Sequence, residues 1–345
     1  MIDRDVDPGR TEPAEARGTR PRRILRRLSK LALVAALVQP ASALLARWAW
    51  LPDVLSHFQG PAFVATIAAT LACALARRRV AIALAALAAL QVGPLLRFDG
   101  ANPVAADPAG PRLRLLVANV QADNGNFRLL RDLIRRERPD VVGLVEFSEA
   151  WQAAGLRDRS EYPHAIEVGL GTHGMALWFR RRPRAIAPPT VLVPDGNAVL
   201  RAEVDFAGSS RQLWLVHPPN PLHPQGQAHG GEELRALTRL LAMSAGSKIV
   251  AGDMNRTDGS PRFGDFLGAS GLRDSRLGFG RQASWPVWSP YRIAIDHGFL
   301  TPDLAVVDRR LGPNIGSDHF PLILDVAPAA SSATNAATQG SQSSP

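Results

Sequence analysis

The chain has almost none of the residues that would tie it together covalently. Its 345 residues include one cysteine, Cys73, which excludes an intrachain disulfide and a Cys-based zinc cluster. A single thiol neither requires nor excludes an oxidising compartment. No H-x-x-x-H pattern occurs, which further disfavours zinc. Lysine is nearly missing too, with only Lys30 and Lys248; the accompanying abundance of Arg and Ala is a bias that genome composition can produce. Net charge is missing from most of the length. From Gly100 onward there are 26 Arg/Lys and 24 Asp/Glu, whereas the first 99 residues carry 14 and 7. The excess of +9 therefore belongs to the N-terminal region and argues for a membrane surface before nucleic acid. No internal repeat at a solenoid period is visible.

Long apolar runs are abundant. Residues 1–28 are polar, basic at their end and without core-forming pattern, which predicts a disordered cytoplasmic tail. Residues 20–30, RPRRILRRLSK, hold six basic groups and no acid. Three apolar runs follow, about 31–51, 60–76 and 80–96, the last two separated by Arg77–Arg79. Crossing about 30 Å of hydrocarbon takes about 17–25 helical residues, so residues 29–97 read as three transmembrane helices. A signal peptide competes for the first run and a buried helical hairpin for the others. The basic clusters at 20–30 and 77–79 are two spans apart and so fall on one side. They predict a multi-pass inner-membrane protein with a cytoplasmic N-terminus and an extracytoplasmic region beyond Leu96.

Residues 98–111, FDGANPVAADPAGP, read as a linker. If flexible, about 14 residues span about 20 Å. Residues 328–345 are low-complexity and predict a disordered tail. Between them, 112–327 forms one α/β domain. Strands are expected at Leu113–Val120, Val141–Glu146, Met175–Phe179, Val199–Asp205, Leu213–His217, Lys248–Gly252, Ala294–Leu300 and Leu322–Asp325. Helices are expected at Arg128–Arg136 and Glu232–Met243.

The expected strands end in polar groups: Asn119, Glu146, His217, then Asp253 and Asn255 in KIVAGDMN. Asp296 sits in RIAIDHGF, and Asp318 and His319 sit just before the last strand. One such residue is an ordinary cap; a whole set at one edge of a layered domain is how a fold builds a site on rigid elements. Glu146 with Asp or Asn neighbours suits Mg²⁺, which takes oxygen ligands. Asp253 and Asn255, two apart on a strand ending, can both face one substrate oxygen. Metal, base, amide and histidine around one point describe phosphodiester or phosphomonoester hydrolysis.

GDMN resembles the GD-x-N motif of the endonuclease/exonuclease/phosphatase superfamily, the DNase I-like hydrolases. Asn119, Glu146, His217, Asp253, Asn255, Asp296 and the Ser317-Asp318-His319 triplet follow in that family's order across about 112–325. The resemblance implies a four-layer α/β/β/α sandwich. It implies Mg²⁺ or Mn²⁺ held by Glu146, with Asn119 and Asp318 at the metal. Asp253 would align or deprotonate the attacking water. Asn119, Asn255 and His217 would contact the phosphate, and Asp296 would orient His319. Val145 stands where the family often has Gln, and Phe179 where Ser is common. Lysine-rich DNA-contact loops have no counterpart here.

Other features carry less. His223 and His229 read as exposed loop histidines before they read as metal ligands. Trp285 and Trp288 suit a stacked base, a lipid interface or the core. Arg180–Arg182 read as a solvated strand end. The resulting expectation is a membrane-anchored metal-dependent phosphoesterase acting on a lipid-derived, small-molecule or nucleic-acid phosphoester. A nuclease and a catalytically silent tethered binding module are the alternatives. No protein partner is implied.

Overall fold

The computed structural model describes residues 14–74, 77–101 and 103–330, with side chains from Arg27 onward. Four helices open the chain: α1 Ala14–Leu45, α2 Trp50–Ser56, α3 Gln59–Ala74 and α4 Arg78–Leu96. Helix α1 begins inside the stretch expected to be a disordered tail, so residues 14–28 are helical; residues 1–13 lie outside the described residues. Two segments, Arg27–Leu45 and Arg78–Leu96, are long and apolar enough to cross a membrane. Helices α2 and α3 reach that standard only together and are bent by 73° at their junction.

Burial in these helices is inverted relative to a water-soluble bundle. Leu31, Val34, Leu44, Ile67, Leu71, Ile82 and Leu90 are exposed, while Ser42, Thr66 and Gln91 are buried. Ala36, Cys73 and Ala81, small residues that let backbones approach, pack with Leu84 at the contact between α1, α3 and α4. Apolar outside and polar inside is the pattern a hydrocarbon solvent selects.

The α/β domain holds strands β1 Leu113–Asn119, β2 Val141–Val145, β3 His164–Val168, β4 Met175–Phe179, β5 Ala185–Ile186, β6 Thr190–Val191, β7 Ala198–Phe206, β8 Ser209–Val216, β9 Lys248–Asp253, β10 Arg273–Asp274, β11 Asp296–Leu300, β12 Leu304–Leu311 and β13 Leu322–Pro328. Its helices are α5 Phe127–Glu137, α6 Glu149–Ala153, α7 Pro224–Met243 and α8 Pro261–Ser270. One sheet runs β12-β13-β1-β2-β4-β3 and the other β10-β11-β9-β8-β7-β5, with β6 on β7. Leu115, Val117, Leu177, Leu215, Ile249 and Leu324 fill the space between the sheets. Leu116, Ala118 and Leu144 face outward against Leu130, Leu133 and Trp151 of α5 and α6. Trp214 and Val250 face Leu237 and Phe266 of α7 and α8. The four layers are those expected, and burial on both faces explains why the central strands read as unbroken apolar runs.

Each sheet contains one parallel pair. Helix α5 connects β1 to β2, and α7 connects β8 to β9. These crossovers bring the C-terminal ends of four strands to one place. Helix α5 buries Leu130, Leu133 and Ile134 and ends at Arg138 in the left-handed region (φ 48°), whose N–H returns to Ile134 O. In β9, Gly252 has φ 150°, and a Cβ there would stand 1.9 Å from Val216 O. Only glycine lets β8 and β9 close at this point, one residue before Asp253.

The expected linker is not a free tether. Phe98 is fully buried, with the Arg276 guanidinium 3.9 Å from its ring centroid. Gly278 N–H donates to Phe98 O at 2.7 Å. Asp107 N–H donates to Pro328 O, and Ala330 N–H to Ala105 O. Residues 328–330 are thus ordered against residues 105–107, contrary to the expected tail; residues 331–345 lie outside the described residues.

The α1–α3 segment docks on the domain as well. Arg47 makes two hydrogen bonds to Asp265, at 2.9 and 3.0 Å, and Trp50 Nε1 donates to Pro221 O at 2.7 Å. Asp53, fully buried, accepts from Ser260 Oγ (2.7 Å), Arg262 (3.0 Å) and Gln227 Nε2 (3.2 Å). Thr257 N–H donates to His57 Nδ1 at 3.1 Å.

Candidate active site

The strands around the site stop by turning into left-handed backbone. Glu146, one residue past β2, has φ 57°; Asn255, two past β9, has φ 50°; Gln121, two past β1, has φ 57°. Non-glycine residues reach this region at a cost of about 1–2 kcal/mol, and such conformations gather at functional sites. Here the turns aim side chains from both sheets into one cleft.

Asn119 is the bridge between the sheets. Its Oδ1 accepts the Gln121 N–H at 2.9 Å, which fixes the amide's orientation. Its Nδ2 then donates to Glu146 Oε1 at 2.8 Å and to Asp253 Oδ2 at 3.1 Å. Asn119 therefore presents its amide donor to the cleft and holds Glu146 in place, next to the metal position expected at Glu146. Ala122 N–H reaches Glu146 Oε2 at 3.3 Å.

Asp253 ends β9 directly opposite Asp296 at the start of β11. The strand stops there, and a turn, not the shared strand face expected, relates Asn255 to Asp253. Its N–H closes a turn onto Asp253 Oδ1 at 2.8 Å, and its Nδ2 donates to Pro218 O at 3.1 Å. His319 lies between the two acids. Its Nδ1 is 2.9 Å from Asp296 Oδ2, and its Nε2 is 3.7 Å from Asp253 Oδ2. His217 Nε2 approaches Asp253 Oδ2 from another side at 3.8 Å. Ser317 Oγ ties the His319 segment to Asn119 O at 2.8 Å.

The groups differ in charge for identifiable reasons. Burial lowers the His217 pKa to about 4, helped by the nearby His319, so His217 is neutral at neutral pH. Burial alone would lower His319 as well, but the carboxylates of Asp296 and Asp253 outweigh it and raise the ring to about 10. Asp253 is pushed upward by burial and by Asp296. Asp296 is held below the usual range because His319 outweighs its burial. The site thus offers a basic carboxylate between one neutral and one cationic imidazole, and environments that push partners apart in this way mark acid and base roles.

The oxygen donors fit a hard divalent cation. Glu146 and Asp318 line the same cleft. Asp318 Oδ2 accepts from Trp285 Nε1–H at 2.9 Å, which leaves Oδ1 3.9 Å from His319 Nε2. Two carboxylates facing solvent space suit Mg²⁺ or Mn²⁺, which keep several waters. Asp253, Asp296 and His319 also place ligand atoms within 4.8 Å of one another. There, however, the His319 imidazolium already supplies the positive charge.

The cleft holds about 480 Å³. Glu146, His217, Asp253, Asn255, Asp318 and His319 line it; Asn119 and Asp296 lie behind them. Sequence reasoning missed His173, whose Nδ1 meets Asn197 Oδ1, and Asn197, whose Nδ2 donates to His217 O. The turn-forming DGN of residues 195–197 was the available signal for the second. It also missed Val54, His57 and Phe58, which come from the N-terminal helices and form part of the wall. Trp285 belongs to the site, whereas Trp288 is 81% exposed, against a core reading. His223 precedes α7, and His229 is exposed within that helix rather than in a loop. Among the described residues no Arg or Lys lines the cleft.

The arrangement has relatives. The sequence model of the Endonuclease/Exonuclease/phosphatase family matches residues 116–319. No curated protein matches the chain. Among solved structures, D. rerio TDP2 complexed with single strand DNA product superposes with a TM-score of 0.53 at 20% identity, covering 62% of this chain and 98% of that one. An endonuclease/exonuclease/phosphatase family protein from Bacteroides thetaiotaomicron gives 0.51 at 15% identity, covering 63% and 98%. One from Beutenbergia cavernae gives 0.50 at 21%, covering 64% and 72%. At these identities the structures establish a shared fold. The family match runs from β1 to His319 and takes in every polar strand end described above, and the chain belongs to the endonuclease/exonuclease/phosphatase family.

Proposed function

We propose that the chain is a membrane-anchored, divalent-metal-dependent phosphoesterase that cleaves a P–O bond by attack of water. The observation carrying this reading is Asp253, buried between His217 and His319 at 3.8 and 3.7 Å and joined through Asn119 to Glu146. A cation at Glu146 and Asp318 would neutralise charge building on the phosphoryl oxygens. Asp253 aligns the water and takes its proton. His319, kept cationic by Asp296, donates toward the phosphoryl group. His217 and Asn255 hold phosphate oxygens.

The test is release of p-nitrophenolate from bis-p-nitrophenyl phosphate by the full chain. Turnover is expected with Mg²⁺ or Mn²⁺ and should stop on chelation with EDTA. Absence of turnover with either metal would overturn the reading.

The cleft favours a small or lipid-derived phosphoester over a nucleic acid. Polynucleotides are held largely by Arg and Lys on successive phosphates, and no such residue lines this cleft among the described residues.

We infer the topology from charge and docking together. Arg47, Asp53, His57 and Phe98 all meet the α/β domain at one end of the helices, and Arg77–Arg79 lie at the opposite end, at the start of α4. The positive-inside rule puts that opposite end in the cytoplasm and the domain outside, at the inner membrane. In a bacterial host, a C-terminal alkaline phosphatase fusion should be active and a C-terminal GFP fusion dark. The reverse pattern would invert the assignment.

A further inference from the structure

The wall of the cleft opposite its ionic floor comes from the N-terminal helices. Val54 in α2 and Phe58 in the bend between α2 and α3 line the cleft together with Pro221 and Leu222. His57 on the same wall is 3% exposed, and its Nε2 has no hydrogen-bond partner among the described residues. The wall is held rigidly, because Asp53 is gripped by Ser260, Gln227 and Arg262, and Trp50 by Pro221 O. Its outer margin is apolar. Leu45, Trp48, Leu51 and Leu222 are 53, 76, 51 and 48% exposed, a band continuous with the exposed apolar face of α1.

A cleft with carboxylates and imidazoles on one side and aliphatic and aromatic carbon on the other matches a phosphoester with one apolar arm. We propose that the α2–α3 elbow recognises that arm: Val54, Phe58 and Leu222 receive an alkyl chain esterified to the scissile phosphate, entering from the bilayer side marked by Leu45, Trp48 and Leu51. The proposal rests on the phosphoesterase reading and names its substrate class. Water oxygen bonds to phosphorus, the ester P–O bond breaks with its electron pair leaving on the departing oxygen, and the water proton passes to Asp253.

The test uses the full chain in nanodiscs of zwitterionic phospholipid, with two probes, p-nitrophenyl methyl phosphate and p-nitrophenyl octyl phosphate. The octyl ester should be preferred in kcat/KM by at least about tenfold, which two buried methylene groups supply. The octyl-to-methyl ratio should fall about tenfold in Val54→Ser/Phe58→Ser, and Phe58→Leu should keep most of it, since Leu fills much of the same apolar volume. A ratio near one in the unmodified chain, or one unchanged in the double variant, would overturn the proposal. If neither ester is cleaved with Mg²⁺ or Mn²⁺, it is the phosphoesterase reading that fails. The wall is then judged by calorimetry with octyl phosphate and methyl phosphate. Octyl preference lost in the double variant supports it, and equal affinities refute it.

Discussion

Asp253→Asn is expected to lower kcat on bis-p-nitrophenyl phosphate by about 10²–10⁴-fold, the range for a general base. The asparagine keeps the size of the side chain and an oxygen for the Asn255 N–H, but it cannot accept the water proton. Glu146→Gln should be at least as damaging, because a neutral amide lacks the charge that holds a hard cation. Both variants should give the circular dichroism spectrum of the unmodified chain, since the core between the sheets is untouched. Turnover within about threefold of normal in Asp253→Asn, well short of a general-base effect, would place the base elsewhere. Normal turnover in Glu146→Gln at saturating Mg²⁺ would do the same for the metal.

Asp53→Ala should release the helices from the domain. Its carboxylate is fully buried and takes three hydrogen bonds. Removing one member of a buried pair costs about 3–5 kcal/mol. Arg262 retains 24% side-chain exposure, and water reaching it reduces the expected loss to about 2 kcal/mol. Because the Thr257 N–H is held by His57 Nδ1 at 3.1 Å, its hydrogen exchange reports the docked interface directly. Exchange there should accelerate by about 30-fold. An unchanged rate would show that Asp53 does not hold the interface together.

Much of the site was legible because a buried strand that ends in a polar residue leaves a plain mark. Runs such as LLVAN, VVGLVE and KIVAGD show both the apolar strand and the group at its tip. Other elements left weaker marks. β12 runs along a sheet edge and carries Asp308, Arg309 and Arg310 in succession, so its composition reads as a loop. The first two turns of α7 contain Pro224, Gly226, Gly230 and Gly231, which read as helix breakers. In the structure a Cβ on Gly226 would lie 2.3 Å from Asn220 O, and one on Gly230 2.5 Å from Pro219 O. These glycines allow a helix to press against the loop beneath the cleft. The docking of the N-terminal helices was hidden for a different reason. Asp53 is one acid in a short connection, and its partners lie about 170–210 residues further on, a separation at which local pattern says nothing.

That separation has a consequence for biosynthesis. Asp53 leaves the ribosome 207 residues before Ser260. At about 5–20 residues per second, its partner follows roughly 10–40 s later. On the membrane-anchored reading proposed above, the helices enter the bilayer during that interval, while Asp53 still lacks its partners. The contacts of Asp53 with Gln227, Ser260 and Arg262 can then close only after the second sheet has been synthesised through β9 and α8. On the same reading, a chain severed between the two parts should regain the wall formed by Val54, His57 and Phe58 only when both parts are produced in one membrane.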